Sequence, residues 1–390
     1  MIQEYDFETL VERHDTASCK WDSDHRRGLV PMWVADMDFK TAPEIIEALH
    51  ERADHGVFGY TILTDEYYEA LINWNRRRHD WEIDREWVIG VTAIVPGLSA
   101  ILRALTVPGE KIVVQTPVYN CFFDVIADNG LKVVHNPLKY HDLTYTMDYE
   151  DLEIKCADPA VKVMILCNPA NPVGRVWTPD ELKRVGDICL KHGVTIIADE
   201  IHCELVYEEH HYTPFASLGE KYRDISITCV SPSKAFNLAG LHVANLIIPD
   251  NALRERVNRA VTINRVGEMN PFGVSGLIAA YNCGETWLMA VNEYIYDNYR
   301  FMVEFCEEFI PQVKMCRLEG TYLAWMDCSA LDIDSAYLGQ LLLDEQALWV
   351  NAGTMYGPDG NGFMRWNIAC SRVVLTEGLN RLAAFIRRHH

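Results

Sequence analysis

Short apolar segments alternate with longer amphipathic segments along the middle of the chain, from about Trp87 to Pro249. The apolar segments have the length and composition of buried strands, and the amphipathic segments have the spacing of helices. The predicted strands are residues 88–91, 111–115, 132–134, 161–166, 194–198 and 225–230. A helix is predicted to begin near Thr92. This alternation is typical of βαβ units, so we predict an α/β fold with a largely parallel sheet.

The clearest local signal is the helix start at Thr178-Pro179-Asp180-Glu181. Thr178 is a preferred N-cap residue, proline is tolerated at the first helical position, and Glu181 can complete a capping box. The helix is predicted to run to about Lys191-His192 and to stop at Gly193, where the backbone can become left-handed. It would connect the strands at 161–166 and 194–198.

The C-terminal third of the chain has a different pattern. After about Asn270 the apolar spacing predicts long helices, followed by a mixed α+β segment from near Val313. A chain of 390 residues exceeds what one hydrophobic core usually serves, so two lobes are expected. The chain has no internal repeat and no Gly/Ser-rich linker, so the lobes should be tightly joined.

The composition narrows the possible functions. Asp and Glu number 56 against 35 Lys and Arg, and the net charge of −21 disfavours binding to nucleic acid or anionic lipid. Apolar residues make up 49% of the chain, yet no apolar stretch is long enough to span a bilayer. The start Met1-Ile2-Gln3-Glu4 has neither the basic residues nor the apolar core of a signal peptide. We therefore expect a cytoplasmic protein that binds neither nucleic acid nor membrane.

The 12 cysteines are expected to be reduced thiols. They are scattered through a large apolar chain without any Cys-x-x-Cys pair, unlike the cysteines of a small disulfide scaffold. His202-Cys203 and His210-His211 do not match the spacing of a structural zinc site, so no metal is predicted.

Three polar residues follow three consecutive predicted strands: Asn171, Asp199 and Lys234. The carboxyl ends of parallel strands meet at one edge of the sheet, where open α/β sheets bind ligands. A lysine amine can form a Schiff base with an aldehyde, and a carboxylate can keep a pyridine nitrogen protonated so that the ring accepts electrons. An Asn amide can donate a hydrogen bond to a phenolic oxygen. The ordered set predicts a site for pyridoxal 5'-phosphate (PLP).

Motifs around these residues extend across nearly the whole chain. They are residues 33–39 (WVADMDF), 55–61 (HGVFGYT), 168–175 (NPANPVGR), 199–202 (DEIH), 231–241 (SPSKAFNLAGL), 321–325 (TYLAW) and 365–372 (RWNIACSR). In these residues the chain resembles the fold-type I PLP enzymes of the aspartate aminotransferase superfamily. Within that group it is most similar to the cystathionine β-lyase/cystalysin-like carbon–sulfur lyases.

The resemblance implies the PLP-dependent transferase fold. This fold has a large domain with a mostly parallel sheet of the seven-stranded type flanked by helices, and a smaller α+β domain formed by both termini. The implied boundaries are 1–45 for the N-terminal arm and part of the small domain, 46–285 for the large PLP-binding domain, and 286–390 for the C-terminal small domain.

The resemblance also assigns roles position by position. Tyr119 is implied to stack on the cofactor ring, and Tyr60 to reach the cofactor phosphate of the neighbouring subunit in a homodimer. The implied catalytic residues are Lys234, Asp199, Tyr119 and Tyr60. The implied cofactor contacts are Thr92, Ala93, Ile94, Tyr119, Asn171, Asp199, His202, Ser231, Ser233, Lys234 and Tyr60. The implied substrate contacts are Arg365, as the fork for the carboxylate, with Val34 and Asn171.

Some of these positions keep other interpretations. His202 occupies a position where many aminotransferases have tyrosine, and its electronic effect is left open. His242 stands eight residues after Lys234, where aspartate aminotransferases carry a phosphate-binding arginine, so weaker cationic support for the phosphate is expected. Thr92 could also be an ordinary helix N-cap, and the two tyrosines could be core or loop aromatics.

The reaction implied by the resemblance is α,β-elimination from an L-amino acid that carries a sulfur leaving group on its β-carbon. L-Cystathionine would give homocysteine, pyruvate and ammonia, and cysteine S-conjugates, cystine or cysteine fit the same residues. Lys234 would take the α-proton, Asp199 would support the charged ring, and Arg365 would fix the carboxylate. Two alternatives stay open: an aminotransferase using the same residues, and a cofactor-bearing protein whose main role is to bind a regulatory partner.

Overall fold

Helices and strands alternate through the middle of the chain in the computed structural model, which describes residues 5–26, 28–207 and 210–389. The helices are α1 (Cys19–Asp22), α2 (Pro43–Asp54), α3 (Asp65–His79), α4 (Ile94–Leu105), α5 (Cys121–Asp128), α6 (Tyr149–Cys156), α7 (Pro179–His192), α8 (Glu220–Arg223), α9 (Asn251–Asn264), α10 (Pro271–Cys283), α11 (Glu285–Phe309), α12 (Ser335–Gln346) and α13 (Arg372–His389). The strands are β1 (Val30–Pro31), β2 (Val88–Val91), β3 (Lys111–Val114), β4 (Lys132–His135), β5 (Lys139–His141), β6 (Thr144–Thr146), β7 (Val161–Cys167), β8 (Thr195–Asp199), β9 (Ser226–Val230), β10 (Ala244–Ile247), β11 (Lys314–Met315), β12 (Leu323–Asp327), β13 (Leu348–Trp349), β14 (Asn351–Ala352) and β15 (Phe363–Asn367).

The middle of the chain forms a seven-stranded sheet in the order β2-β10-β9-β8-β7-β3-β4. The neighbours from β9 to β4 pair in parallel, whereas β10 pairs antiparallel with both β9 and β2. The expected mostly parallel sheet of the seven-stranded type is therefore confirmed. Strand β10 had no prediction of its own, because its place between β9 and β2 depends on pairing and not on its four residues.

Helices cover both faces of this sheet. Along β7, Val163 and Ile165 belong to one hydrophobic cluster and Met164 and Leu166 to another, because side chains alternate between the faces of a strand. The first cluster includes residues of α4, α5 and α9, and the second includes residues of α6 and α7. Burial of both faces explains why the strands are continuous apolar runs.

Helix α7 begins and ends as predicted. The Thr178 hydroxyl accepts a hydrogen bond from the Glu181 N–H at 3.3 Å, and the Glu181 carboxylate accepts one from the Thr178 N–H at 2.8 Å. At the other end Gly193 has a φ of 66°, in the left-handed region that favours glycine. These contacts stabilise the connection from β7 to β8, which places Asn171 beside Asp199.

The N-terminal arm joins the C-terminal part of the chain. Strands β11, β12, β15 and β14 form an antiparallel sheet, and β1 pairs in parallel with β13. The Met32 carbonyl accepts a hydrogen bond from the Asn367 N–H at 2.8 Å. The chain from Trp33 onward therefore lies next to β15, which carries Arg365. The domain boundaries at 45/46 and 285/286 stay a prediction.

All twelve cysteines lie in the described ranges and are free thiols, and the reduced compartment stays a prediction. Among the described residues, no helix combines the length and the apolar character needed to cross a membrane.

Candidate active site

Asn171, Asp199 and Lys234 meet at the carboxyl edge of the seven-stranded sheet. They end or follow β7, β8 and β9, which are adjacent and parallel, with Cys167 opposite Asp199 and Asp199 opposite Cys229. All three line a cavity with about 780 Å³ of empty space, including its open mouth. The fold thus brings the three predicted side chains together.

The carboxylate of Asp199 is almost completely buried, with 4% of the residue exposed. Burial raises the pKa of Asp199 to about 6, although the Ile201 N–H, at 3.2 Å, and the charge of Lys234 act in the opposite direction. A buried carboxylate with so few donors is stabilised by a cationic ligand group. The protonated nitrogen of a pyridine ring is such a group.

The amine of Lys234 lies at the cavity wall. Its Nζ donates a hydrogen bond to the Ala35 carbonyl at 2.7 Å. Desolvation and the nearby Arg365 guanidinium lower the pKa of Lys234 to about 8, against the opposing charges of Asp36 and Asp199. A lysine with a lowered pKa has more of the neutral, nucleophilic amine near neutral pH.

Arg365 lies on β15 and is linked to the cavity through Asn171. Its Nη1 donates to the Asn171 Oδ1 at 3.1 Å, and its Nη2 donates to the Trp33 carbonyl at 2.7 Å. The residue is buried, the Tyr356 ring lies 4.9 Å from the guanidinium carbon, and Nε has no partner among the described residues. The guanidinium therefore keeps N–H donors available for a carboxylate.

Tyr119 provides an aromatic ring at the cavity wall. It is half-buried and packs edge-on against Phe122, with 5.5 Å between ring centroids. Burial and the neighbouring Cys121 raise the pKa of Tyr119 well above its usual value, so the phenol stays neutral. A neutral half-buried ring is suited to packing against a planar ligand.

His202 also lines the cavity, and 3% of it is exposed. Burial and the positive charges of Lys234 and Arg365 lower the pKa of His202 well below 6.5, so its ring is neutral. Its Nδ1 has no hydrogen-bond partner within the described part of the chain, and its ring contacts Tyr322 edge-on at 6.1 Å. A ligand in the cavity could satisfy this unpaired nitrogen.

Thr92, Ala93 and Ile94 line the cavity at the start of α4. The Thr92 N–H donates to the Val266 carbonyl at 2.9 Å, so this N–H is not free to bind a ligand. The first turn of α4 lacks intrahelical acceptors for its N–H groups, and it lies at the positive end of the helix dipole. These later N–H groups fit an anionic phosphate.

Ser231, Ser233 and His242 line the same cavity. The Ser231 hydroxyl donates to the Val243 carbonyl at 2.7 Å and accepts a hydrogen bond from the Ser233 N–H at 3.1 Å. The proton of Ser231 is therefore directed to the backbone and not to the cavity. His242 has a φ of 53° and lines the cavity. It occupies the position where aspartate aminotransferases carry a phosphate-binding arginine.

Tyr60 does not line the cavity of its own chain. It is fully exposed on the loop 55–64, where Val57, Phe58 and Ile62 are 63%, 58% and 78% exposed. Its assignment to the neighbouring subunit stays a prediction. Val34 is half-buried, and its carbonyl accepts a hydrogen bond from the Asn367 amide.

The donor set of the cavity fits PLP. An amine, a buried carboxylate, an amide, an aromatic ring and a helix N-terminus line one cavity. In that order, they match the aldehyde, the ring nitrogen, the phenolic oxygen, the ring face and the phosphate of the cofactor. The unpaired buried nitrogen of His202 adds a polar atom that a ligand would satisfy.

Three residues near the site had no predicted role: Ala35, Tyr322 and Asn367. The Tyr322 hydroxyl donates to the Ala35 carbonyl at 2.8 Å across 287 positions of the chain. Each residue lies in one of the motifs that carry the family resemblance. That membership is the sequence signal that could have pointed to them. Their partners could not be predicted, because such contacts depend on how distant segments pack.

Two glutamates of one turn, Glu200 and Glu204, are both buried yet differ in charge state. Burial raises the pKa of Glu200 to about 8, although the Tyr212 hydroxyl and the Phe215 N–H donate to its carboxylate. Burial acts in the same direction on Glu204, but His79, at 2.6 Å, and other donors hold its pKa at about 2. Glu200 is therefore neutral and Glu204 ionised near neutral pH.

Replacing Glu200 with glutamine should raise the thermal midpoint relative to wild type more at pH 8 than at pH 5. The pKa of a glutamate in the unfolded chain is near its ordinary value of 4.5, whereas that of folded Glu200 is about 8, so its contribution to stability falls as pH rises between these values. We expect the gain to grow to a few degrees by pH 8. The control Glu204→Gln should lower the midpoint at both pH values, because it leaves His79 without its carboxylate. An equal effect of Glu200→Gln at pH 5 and pH 8 would contradict the assignment.

Among the described residues, His79, Cys203 and Glu204 offer metal-ligand atoms within 4.8 Å of one another. The Glu204 carboxylate is already engaged by His79, by the Trp74 N–H at 2.6 Å and by Arg78 at 3.4 Å. The expectation that the protein binds no metal stays a prediction.

Known proteins resemble the chain along its whole length. The chain matches the aminotransferase class I and II family over residues 29–382. It is 42% identical to cystathionine beta-lyase PatB of Bacillus subtilis (strain 168), covering 97% of this chain and 99% of that protein. It superposes on cystalysin from Treponema denticola, which contains a pyridoxal 5'-phosphate cofactor, with a TM-score of 0.96 at 35% identity, covering 99% of this chain and 100% of that chain. The PLP-bound C-S lyase from Staphylococcus hominis superposes with a TM-score of 0.92 at 33% identity, covering 98% of each chain. The chain therefore belongs to the aminotransferase class I and II family.

Proposed function

We propose that this protein is a PLP-dependent carbon–sulfur β-lyase. Its substrate would be L-cystathionine or a related cysteine S-conjugate, and its products pyruvate, ammonia and a thiol. The observation that carries the proposal is a single cavity lined by Lys234, Asp199 and Asn171. Asn171 in turn contacts Arg365. Relatives and structural neighbours that align with nearly the full chain carry lyase names. This favours β-elimination over the other reactions that the same residues support.

Bound PLP supplies an electron sink for the negative charge that develops at the substrate α-carbon. Asp199 would pair with the protonated ring nitrogen, because its buried carboxylate needs a cationic partner. Asn171 can donate its amide N–H groups to the phenolic oxygen, since its Oδ1 is turned to Arg365. Asp199 ends β8 and Asn171 lies in the turn that follows β7, so both are positioned from adjacent strands of the sheet.

Lys234 takes the proton from the substrate α-carbon and delivers it to the sulfur that leaves as the Cβ–S bond breaks. Water then converts the remaining aminoacrylate to pyruvate and ammonia. The Lys234 pKa of about 8 allows the free amine to accept a proton near neutral pH and to release it again. Arg365 binds the substrate carboxylate through its available N–H groups, which orients the Cα–H bond toward Lys234. The neutral rings of Tyr119 and His202 exclude water from the reacting atoms.

The test is to mix PLP-loaded protein with L-cystathionine, without a keto acid, and to measure pyruvate and free thiol. Equal, multiple-turnover release of both would support the lyase. No pyruvate, but a single-turnover change of the cofactor that an added keto acid reverses, would indicate an aminotransferase. Neither reaction, together with capture of a protein partner, would indicate the regulatory binding protein.

We further propose that the active protein is a homodimer in a reducing, cytoplasmic compartment. The loop 55–64 exposes Val57, Phe58, Tyr60 and Ile62 side by side, and apolar exposure of this kind marks an interaction surface. A second copy of this chain is the proposed occupant, with Tyr60 completing the neighbouring cavity at its phosphate end. The twelve free thiols favour the reducing compartment.

Mixing Tyr60→Phe protein with Lys234→Ala protein should restore activity if the sites are shared. After subunit exchange, about half of the dimers are mixed, and each has one site with both intact residues, so about one quarter of wild-type turnover is expected. Tyr337→Phe is the control, because Tyr337 is also an exposed tyrosine, at 61%. This variant should keep full activity without mixing. No recovery despite confirmed exchange would count against sharing.

A further inference from the structure

The backbone from Trp33 to Asp36 is held almost entirely by side chains. Each of its four carbonyls accepts a hydrogen bond from a side chain of a distant segment. The donors are Arg365 and Asn351 on Trp33, Asn367 on Val34 and Asp36, and Lys234 and Tyr322 on Ala35. A segment without strand pairing is therefore fixed in one conformation.

Asn367 holds the turn that contains Ala35. Residues Val34 to Asp36 form a tight turn, in which the Asp36 N–H donates to the Val34 carbonyl at 3.0 Å. The Asn367 amide donates to the carbonyls of Val34 and Asp36, on either side of Ala35, and its Oδ1 accepts from the Ala369 N–H at 2.9 Å. Asn367 is fully buried, and both of its turn contacts come from the amide nitrogen, while its Oδ1 is held by the Ala369 N–H.

We propose that the Ala35 carbonyl is a fixed acceptor for the free amine of Lys234, and that Asn367 and Tyr322 are positioning residues for it. The Lys234 Nζ donates to this carbonyl at 2.7 Å and the Tyr322 hydroxyl at 2.8 Å, so both lone pairs of the oxygen are engaged. With one N–H bound there, the amine keeps one orientation relative to the cavity while it is not covalently engaged.

This inference deepens the proposed function and rests on Lys234 as the group that moves the proton. Proton transfer requires the amine to lie in one position between taking up the proton and releasing it. A flexible lysine would otherwise sample several rotamers. A carbonyl acceptor also favours the charged ammonium over the neutral amine, because it bonds more strongly to a charged donor. Loss of the acceptor should therefore make Lys234 deprotonate at lower pH.

Asn367→Ala tests the proposal, with Asn298→Ala as a matched control. Asn298 is also fully buried, and its amide donates to two carbonyls, those of Ile368 at 3.0 Å and Cys370 at 2.8 Å. Each variant removes an amide that donates to two backbone carbonyls, but only Asn367 donates to the turn at Ala35. The charged or titratable groups that face Lys234 are Arg365, Asp36, Asp199, Cys121 and His202, with the Tyr322 hydroxyl on the same carbonyl, and neither variant replaces any of them.

The first readout is the pH dependence of Lys234 acetylation in the full chain after removal of PLP, measured by peptide mass spectrometry. We expect the midpoint in Asn367→Ala to fall by about half to one pH unit relative to wild type. Asn298→Ala should keep the wild-type midpoint. Equal midpoints in Asn367→Ala and wild type, or equal shifts in both variants, would overturn the proposal.

The second readout is steady-state kinetics of the PLP-loaded variants. Asn367→Ala should lower kcat about ten-fold with KM changed little, since the amine is misplaced while substrate binding is kept. A change confined to KM would overturn the positioning role. Failure of the wild-type protein to release pyruvate would reject the proposed lyase function, and the acetylation midpoints would still report on the Ala35 acceptor.

A measurement that does not use Asn367→Ala applies even if that variant does not fold. Labelling alanine with ¹³C at the carbonyl and aspartate with ¹⁵N restricts the NMR signals to the five Ala-Asp peptide bonds of the chain. The Ala35 signal is identified by its loss in Ala35→Gly. It should titrate with the midpoint of Lys234 acetylation and stop titrating in Lys234→Ala. A pH-independent Ala35 signal would overturn the proposal.

Discussion

Replacing Lys234 with alanine should lower pyruvate release from L-cystathionine by about 10⁴-fold or more. The variant loses both the covalent attachment point for the cofactor and the group that moves the α-proton. No other amine lines the cavity in the described part of the chain, so no neighbouring side chain can replace it. The rate is measured with PLP in excess, so that weaker cofactor retention does not limit the assay.

Covalent attachment provides an independent check of Lys234. Borohydride reduction of the PLP-loaded wild-type protein should leave the cofactor on the peptide that contains Lys234, and reduction of the variant should leave none there. Lys221→Ala is the control, because Lys221 is an exposed lysine that pairs with Asp187. Cofactor found on a different lysine in the wild-type protein would remove the central assignment.

Replacing Arg365 with lysine should lower kcat/KM by about 10²- to 10³-fold, mainly through KM. A lysine keeps the positive charge but loses the planar fork that binds a carboxylate through two parallel hydrogen bonds. Breaking such a buried, charge-assisted contact costs about 2–5 kcal/mol. The same change should reduce the preference for L-cystathionine over its α-carboxamide analogue, because only the wild-type fork distinguishes the two.

Arg175→Lys is the matched control for this variant. Arg175 is also a buried arginine, but it pairs with Glu319 at 2.8 Å and with Glu181 at 3.1 Å, away from the cavity. Its replacement should lower the thermal midpoint while leaving the discrimination between acid and amide substrates unchanged. An Arg365→Lys variant that keeps wild-type discrimination would show that another group binds the carboxylate.

Local chemistry was enough to predict the elements that carry the candidate site. The apolar runs marked six of the seven strands in the large sheet, and the residues after three of them marked Asn171, Asp199 and Lys234. The capping box at Thr178 and the glycine at 193 were also predictable, because each depends on residues a few positions apart. Short-range preferences of this kind do not depend on the rest of the fold.

Contacts between distant segments had to come from the folded chain. Such contacts determine the place of β10 between β9 and β2 and the hydrogen bond from the Thr92 N–H to the Val266 carbonyl. They also make Glu200 neutral and Glu204 ionised. Glu200 and Glu204 are the same residue type four positions apart. Their pKa values differ only because their buried surroundings differ.

The protein's α/β architecture and the identity of its main reactive side chains were readable in the order of its residues, since apolar periodicity and strand-end chemistry are local properties. The orientation of those side chains was not. Lys234 meets the Ala35 carbonyl across 199 positions, and Arg365 meets the Trp33 carbonyl across 332. Backbone carbonyls are alike at every residue, so which of them accepts a given donor is determined by packing and not by the residue letters.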